Sequence, residues 1–189
     1  MAKGSKTSSF GTNARISHDS SSYYDSRLYS ELSIPDKKDI GPNNIFPQEL
    51  RDTIILSSAE NMEVIPDNSL HLMVTSPPYN VSKDYDNDLT LREYLDMLHR
   101  VFSETYRVLV NGGRACVNVA NLGRKPYIPL SDYISPMMKS IGFLMRGEII
   151  WDKGAGAGVS MAWGSWKSAS NPVLRDVHEY ILVFSKGDF

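Results

Sequence analysis

The chain has 189 residues, 41% of them hydrophobic, with 22 acids against 20 Lys/Arg and a single cysteine. That length suffices for one domain with its own core plus an arm, and is too short for two full domains. The longest apolar run is strand-sized, the N-terminus lacks an apolar signal core, and one cysteine cannot build a disulfide framework, so a soluble, cytoplasmic protein is expected. The histidines His18, His71, His99 and His178 lack the short spacings of metal sites, and no metal is expected.

Residues 1–44 are rich in Ser, Asn, Asp, Lys and Gly and read as a partly disordered arm, in which Tyr23, Tyr24, Leu28 and Tyr29 suit a short docked helix. The folded domain is placed at 45–189. Thr53-Ile54-Ile55-Leu56 is a short apolar run, Ser57-Ser58 can cap a helix start, and Ala59 to Ile65 fits a helical turn or two. After a turn at Pro66–Ser69, Leu70 to Val74 reads as a buried strand that must stop at Pro77-Pro78, because two prolines cannot continue a ladder. Leu91 to Leu109 has helical apolar spacing, with Asn111-Gly112-Gly113 as its stop. Arg114 to Ala120 alternates as a strand with Cys116 facing the core, Tyr133 to Ile141 is a helix containing Pro136, and Glu148 to Trp151 and Glu179 to Phe184 are strands. This alternation predicts an α/β fold, a mostly parallel sheet with helices on both faces. Ligands of such sheets lie beyond the strands' carboxyl ends, where Thr75-Ser76-Pro77-Pro78-Tyr79 falls.

Net charge is only −2, yet residues 100–175 hold ten Lys/Arg against four acids. A basic stretch interleaved with Trp and Tyr suits a polyanion, since phosphate contacts depend on local cation density; a solvated surface is the plain alternative. Asp84, Asp86 and Asp88 alternate without the Gly and distal Glu of a calcium loop.

The Ser76 hydroxyl and the Pro77 carbonyl, held rigid by Pro78, are two acceptors at one strand end, and Tyr79 adds an aromatic face. Such a set suits the exocyclic amine of a nucleobase. Its nitrogen is a poor nucleophile because the lone pair is delocalised into the ring; acceptors on its two hydrogens favour a more tetrahedral nitrogen, and the ring can stack a base rotated out of the duplex.

Thr75-Ser76-Pro77-Pro78-Tyr79-Asn80 resembles the catalytic motif of DNA amino-methyltransferases. The resemblance runs from about Thr53 to Phe189, through Leu109-Val110-Asn111-Gly112-Gly113-Arg114, Ile149-Ile150-Trp151-Asp152-Lys153 and the closing His178 to Lys186. It implies a Rossmann-like fold, S-adenosylmethionine as methyl donor and double-stranded DNA as partner. Ser76, Pro77, Pro78 and Tyr79 are its catalytic set, and Ser58, Thr75 and Ser76 border the cofactor. Asn80, Lys153, Trp163, Trp166, Lys167 and Arg175 are candidate DNA contacts. Serine at the first motif position points to cytosine N4, with adenine N6 as the alternative, and the expected setting is restriction–modification.

The sequence departs from the family at the cofactor. The family's Phe-x-Gly-x-Gly-like loop has no counterpart before Thr53, and the glycine-rich run 154–158 follows the wrong strand, reading as a loop near DNA or a plain connector. The order fits a permuted class in which the catalytic motif comes first, so the fold is expected to be incomplete. A second polypeptide carrying the cofactor half, or an inactive DNA-binding remnant, are the competing expectations. Asn118 and Asn121 either line the site edge or make turns. Arg175-Asp176 and His178-Glu179 either organise the base pocket or form surface ion pairs.

Overall fold

The computed structural model describes residues 25–30, 41–79, 89–122, 126–154 and 177–187. The chain divides into two units, Met1–Asp36 and Lys37–Phe189. In the first, one helical turn, Arg27–Ser30, is described, within the stretch where a short helix is expected.

The second unit holds strands β1 (Leu70–Thr75), β2 (Leu109–Val119), β3 (Phe143–Asp152) and β4 (His178–Lys186) and helices α1 (Leu91–Val108) and α2 (Leu130–Ile141). The sheet order is β1-β2-β4-β3. The pairing differs from the mostly parallel sheet expected: β1 and β2 are parallel, but β4 runs antiparallel to both β2 and β3. Three strands still point one way, so the carboxyl ends of β1, β2 and β3 and the start of β4 share one edge of the sheet. Strand direction is invisible to apolar periodicity, which is why the reversed strand could not be read from the sequence.

The helices also differ from expectation. Among the described residues α1 and α2 pack on each other and on the same face of the sheet. There Leu98, Phe102, Ile134 and Met138 close over Ala115, Val117, Val119, Leu182 and Phe184 in one core. Phe143 stands edge-on to Tyr106 at 4.9 Å between ring centres. Cys116, one residue out of phase with Ala115 and Val117, lies on the opposite face and is only half-buried, which corrects its expected core-facing position. That opposite face leaves Leu72, Val74, Ile149 and Trp151 exposed.

Thr90 caps α1 through a reciprocal pair: its Oγ1 accepts from Glu93 N at 3.3 Å and its own N–H donates to Glu93 at 2.9 Å. The helix stops at Val108, and Leu109 enters β2 directly. Asn111-Gly112-Gly113 is therefore an irregularity inside the strand and not the helix stop expected. Register runs from Leu70↔Leu109 to Leu72↔Arg114 across it. Gly112 has φ +78°, and a Cβ on Gly113 would lie 2.9 Å from the Val110 carbonyl oxygen, so both positions require glycine. Asn121 Oδ1 accepts from Ser131 N at 3.0 Å, serving the start of α2 in place of its unsuitable N-cap Pro129.

The Ala59–Ile65 stretch forms turns, not helix, and Thr53–Leu56 is not a strand, with Ile54 and Leu56 exposed. What holds this stretch is Arg107. Its guanidinium donates to the carbonyls of Ile65 (3.0 Å) and Met62 (2.9 Å) and pairs with Asp67 (2.6 Å) and Glu104 (2.8 Å). Hydrogen bonds from Arg107, against the cost of burial, hold the Glu104 carboxyl below its usual range.

At the sheet end remote from the Ser-Pro-Pro-Tyr loop, Lys186 is buried, donating to Asn68 Oδ1 at 2.6 Å and the Arg107 carbonyl at 3.2 Å, 4.8 Å from the centre of the Tyr106 ring. Burial pushes its pKa down to about 8. Because the unfolded lysine holds its proton to higher pH, the folded state binds fewer protons between about pH 8 and 10.5, and this residue's contribution to stability must rise with pH there. Relative to Lys186→Met, the wild type should gain up to about 1.4 kcal/mol per pH unit across this window, read by urea denaturation at several pH values. A flat difference would show that Lys186 titrates alike in both states.

Candidate active site

Four strand ends converge on one carboxylate. β1 hands over to Ser76, Pro77, Pro78 and Tyr79; Pro77 is buried, Ser76 is exposed, and the Tyr79 ring packs partly against the core. The Tyr79 hydroxyl accepts from Ala120 N, just past β2, at 3.2 Å, and donates to Glu179 Oε2, at the start of β4, at 3.3 Å. Asn118, near the end of β2, donates from Nδ2 to the same Glu179 oxygen at 2.6 Å. Lys153, one residue past β3, donates from Nζ to Glu179 Oε1. Backbone pairing carries Lys153 there, since its N–H reaches the Val177 carbonyl at 2.9 Å and so extends the β3–β4 ladder by one step. Gly154 follows at φ +65° and donates to Asp152 Oδ1 at 2.8 Å, turning the chain away.

Glu179 is only 6% exposed. Burial by itself would raise its pKa, but hydrogen bonds from Lys153 and Asn118, the Lys153 charge and the Tyr79 hydroxyl together hold it below the usual carboxylate value. At neutral pH the group is an anion that only accepts hydrogen bonds. Ser76 Oγ lies 3.5 Å from the Tyr79 hydroxyl.

Of the residues singled out from the sequence, Ser76, Pro77, Pro78, Tyr79, Thr75 and Lys153 lie at this edge. Thr75 is the last residue of β1, in register with Val117. Ser58 does not join them: its Oγ accepts from Glu60 N at 3.2 Å, and it lines a concavity of about 260 Å³ formed by residues 55–65, with none of Thr75–Tyr79 in its wall. Asn80, Trp163, Trp166, Lys167 and Arg175 lie outside the described residues, as do the 155–158 part of the glycine run and Asp84, Asp86, Asp88 and Asp176. Within the basic segment, Arg107 is ion-paired with Asp67 and Glu104 and Arg100 with Glu60, so these two charges are already matched inside the chain.

Glu179 is the residue that sequence reasoning undervalued. A surface ion pair is the ordinary reading of His178-Glu179, yet the side chain is buried at the centre of the site. The available signal was an acid at the mouth of an otherwise apolar strand, on the sheet edge already marked by the Ser-Pro-Pro-Tyr loop. Asn118 takes the first of its two expected roles, lining the site; Asn121 takes neither, since its side chain serves the start of α2. Among the described residues no group of three His, Cys, Asp or Glu could hold a metal, and no helix is long and apolar enough to cross a membrane.

The sheet, with one reversed strand second from its edge, has the Rossmann-like fold of S-adenosylmethionine-dependent methyltransferases, as comparison with solved structures shows. The chain belongs to the DNA methylase family, whose sequence pattern matches residues 70–189. It is 31% identical over 161 residues to the type II methyltransferase M.BglII of Bacillus subtilis, covering 82% of this chain and 42% of that protein. With the type II methyltransferase M.MjaVI of Methanocaldococcus jannaschii the figures are 35% over 126 residues, 65% and 64%. TTHA0409 of Thermus thermophilus, solved in complex with S-adenosyl-L-methionine, superposes with a TM-score of 0.53 at 29% identity, covering 70% of this chain and 52% of that one. The chain thus spans about half the length of these relatives. The family's methyl donor is S-adenosylmethionine. The described residues do not form a site for that group: Gly41, the one glycine described before β1, lies by Asn68 at the end of the strand remote from Ser76, so no glycine cradle for an adenosine is present among them.

Proposed function

We propose that this chain is the acceptor side of a DNA amino-methyltransferase that methylates the N4 nitrogen of cytosine in double-stranded DNA, within a restriction–modification system. The observation that carries this reading is the strand-end constellation itself. Ser76 Oγ and the Pro77 carbonyl, on a segment stiffened by two prolines, are acceptors for the two amino hydrogens of a flipped base. The Tyr79 ring is clamped by its hydroxyl and only partly buried, which suits it to stack a base. Serine at the first motif position supports cytosine over adenine. Bound S-adenosylmethionine supplies an activated methyl group; this chain's residues hold the amine, orient its lone pair and exclude water beneath it.

The cofactor side is proposed to come from further sheet docked beside β1, in the same polypeptide or a second one. Support for this comes from β1 itself, which pairs only with β2 among the described residues and presents Leu72 57% and Val74 71% exposed. A buried-type strand with an apolar outer face is normally covered in such sheets. Asn80, Lys153, Trp163, Trp166, Lys167 and Arg175 are proposed as DNA contacts and Thr75 as a cofactor neighbour; Ser58, bonded to Glu60 N in a separate concavity, is not carried over.

Calorimetric titration of S-adenosylmethionine into the 189-residue chain, alone and with a polypeptide carrying the glycine loop, tests the division of labour. The expected result is binding only in the mixture. Binding by the chain alone would show that it holds the donor by itself.

A further inference from the structure

We propose that Glu179, held by Lys153 and Asn118, is a positioning residue that sets the direction of the hydrogen bonds through Tyr79 to Ser76, so that Ser76 faces the target amine as an acceptor. The inference rests on the methyl-transfer reading for its catalytic consequence, but its structural content stands on hydrogen-bond counting.

An ionised carboxylate has no proton to give, so the Tyr79 hydroxyl must donate to Glu179 Oε2 across the 3.3 Å contact. A phenol has one proton. Having spent it on Glu179, Tyr79 can only accept from its other neighbours: from the Ala120 N–H at 3.2 Å and from Ser76 Oγ at 3.5 Å. Ser76 is thereby the donor in its contact with Tyr79, and its lone pairs are left for an incoming N–H. With the proton order reversed, Tyr79 would take one of the Ser76 lone pairs and leave the Ser76 proton free to turn toward the amine, where it would meet another donor. The buried anion decides between the two orders. Lys153 keeps it ionised, and Asn118 fixes its second contact on the same oxygen, at 2.6 Å, so the carboxylate cannot turn away.

Glu179→Gln, close to isosteric, can present an N–H₂ to Tyr79 and remove the preference. Tyrosine labelled with ¹³C at Cζ reports the hydrogen bonding of each phenol, and Tyr79→Phe assigns the signal among the ten tyrosines. The expected result is that Glu179→Gln moves the Tyr79 signal and leaves the others in place. Methyl transfer should fall by about a hundredfold in kcat with KM for DNA little changed, and Tyr79→Phe combined with Glu179→Gln should be no worse than the poorer single variant. A Tyr79 signal indifferent to Glu179→Gln, or losses that multiply in the double variant, would overturn the proposal. These rates are read with the glycine-loop polypeptide present; if the wild type then transfers no methyl group, the functional reading fails and the Tyr79 signal still decides this one. Should Glu179→Gln not fold, Lys153→Met gives the answer: without its cation the carboxylate should protonate at higher pH, carrying the Tyr79 signal with it, and a signal that never titrates would contradict the link.

Discussion

Replacing Ser76 by alanine is expected to lower methyl transfer about 100- to 1000-fold, the range seen when one preorganised polar group is removed from a reacting centre, without measurable loss of stability or DNA affinity. The separation follows from where Ser76 sits. It is exposed and among the described residues its hydroxyl shares only a long, 3.5 Å contact with Tyr79, so the fold loses almost nothing when the hydroxyl goes. The amine of the target base, by contrast, loses one of the two acceptors that favour a tetrahedral nitrogen. Single-turnover transfer of a labelled methyl group, alongside thermal melting and a DNA-binding isotherm, separates these effects. A fall in melting temperature matching the fall in rate would place Ser76 in the scaffold instead.

The opposite dissociation is expected for Phe184→Ala, which should cost about 3–5 kcal/mol of stability, as truncation of a fully buried aromatic does. Phe184 is completely buried on β4, opposite Ala115 on one side and Met145 on the other, with its ring 6.3 Å from that of Phe143. Urea denaturation reads the loss. Because β4 also carries Glu179, the site should fail with the strand: residual activity at low temperature should vanish as the fold melts, while activity per folded molecule stays near wild type. A cost below about 1 kcal/mol would mean that the core collapses easily around the gap.

What the sequence made legible was mostly local. Strand β1 and its abrupt end follow from an apolar run meeting two prolines, helix α1 from its spacing, and the position of the Ser-Pro-Pro-Tyr loop from both. The reversed direction of β4 was not legible, since Tyr180 to Phe184 has the same composition whichever way it runs. Nor was the work of Gly112-Gly113, because a glycine pair after a helix looks like a stop until the register shows β2 continuing through it. Glu179 was hidden for a related reason: its partners Tyr79, Asn118 and Lys153 lie 100, 61 and 26 residues away, and only the sheet order brings them together. The exposed Ile54 and Leu56 show the converse. Apolar residues in a strand-like run predict burial, but burial needs a partner strand, and none is described beside them.

The most direct test of the account is transfer of labelled methyl from S-adenosylmethionine to duplex DNA by this chain, alone and mixed with the polypeptide bearing the glycine loop, followed by nucleoside analysis. The account predicts label as N4-methylcytosine in the mixture, abolished by Ser76→Ala. No label under either condition, or label that survives Ser76→Ala undiminished, would contradict it, and label on adenine N6 would keep the site while reassigning its base.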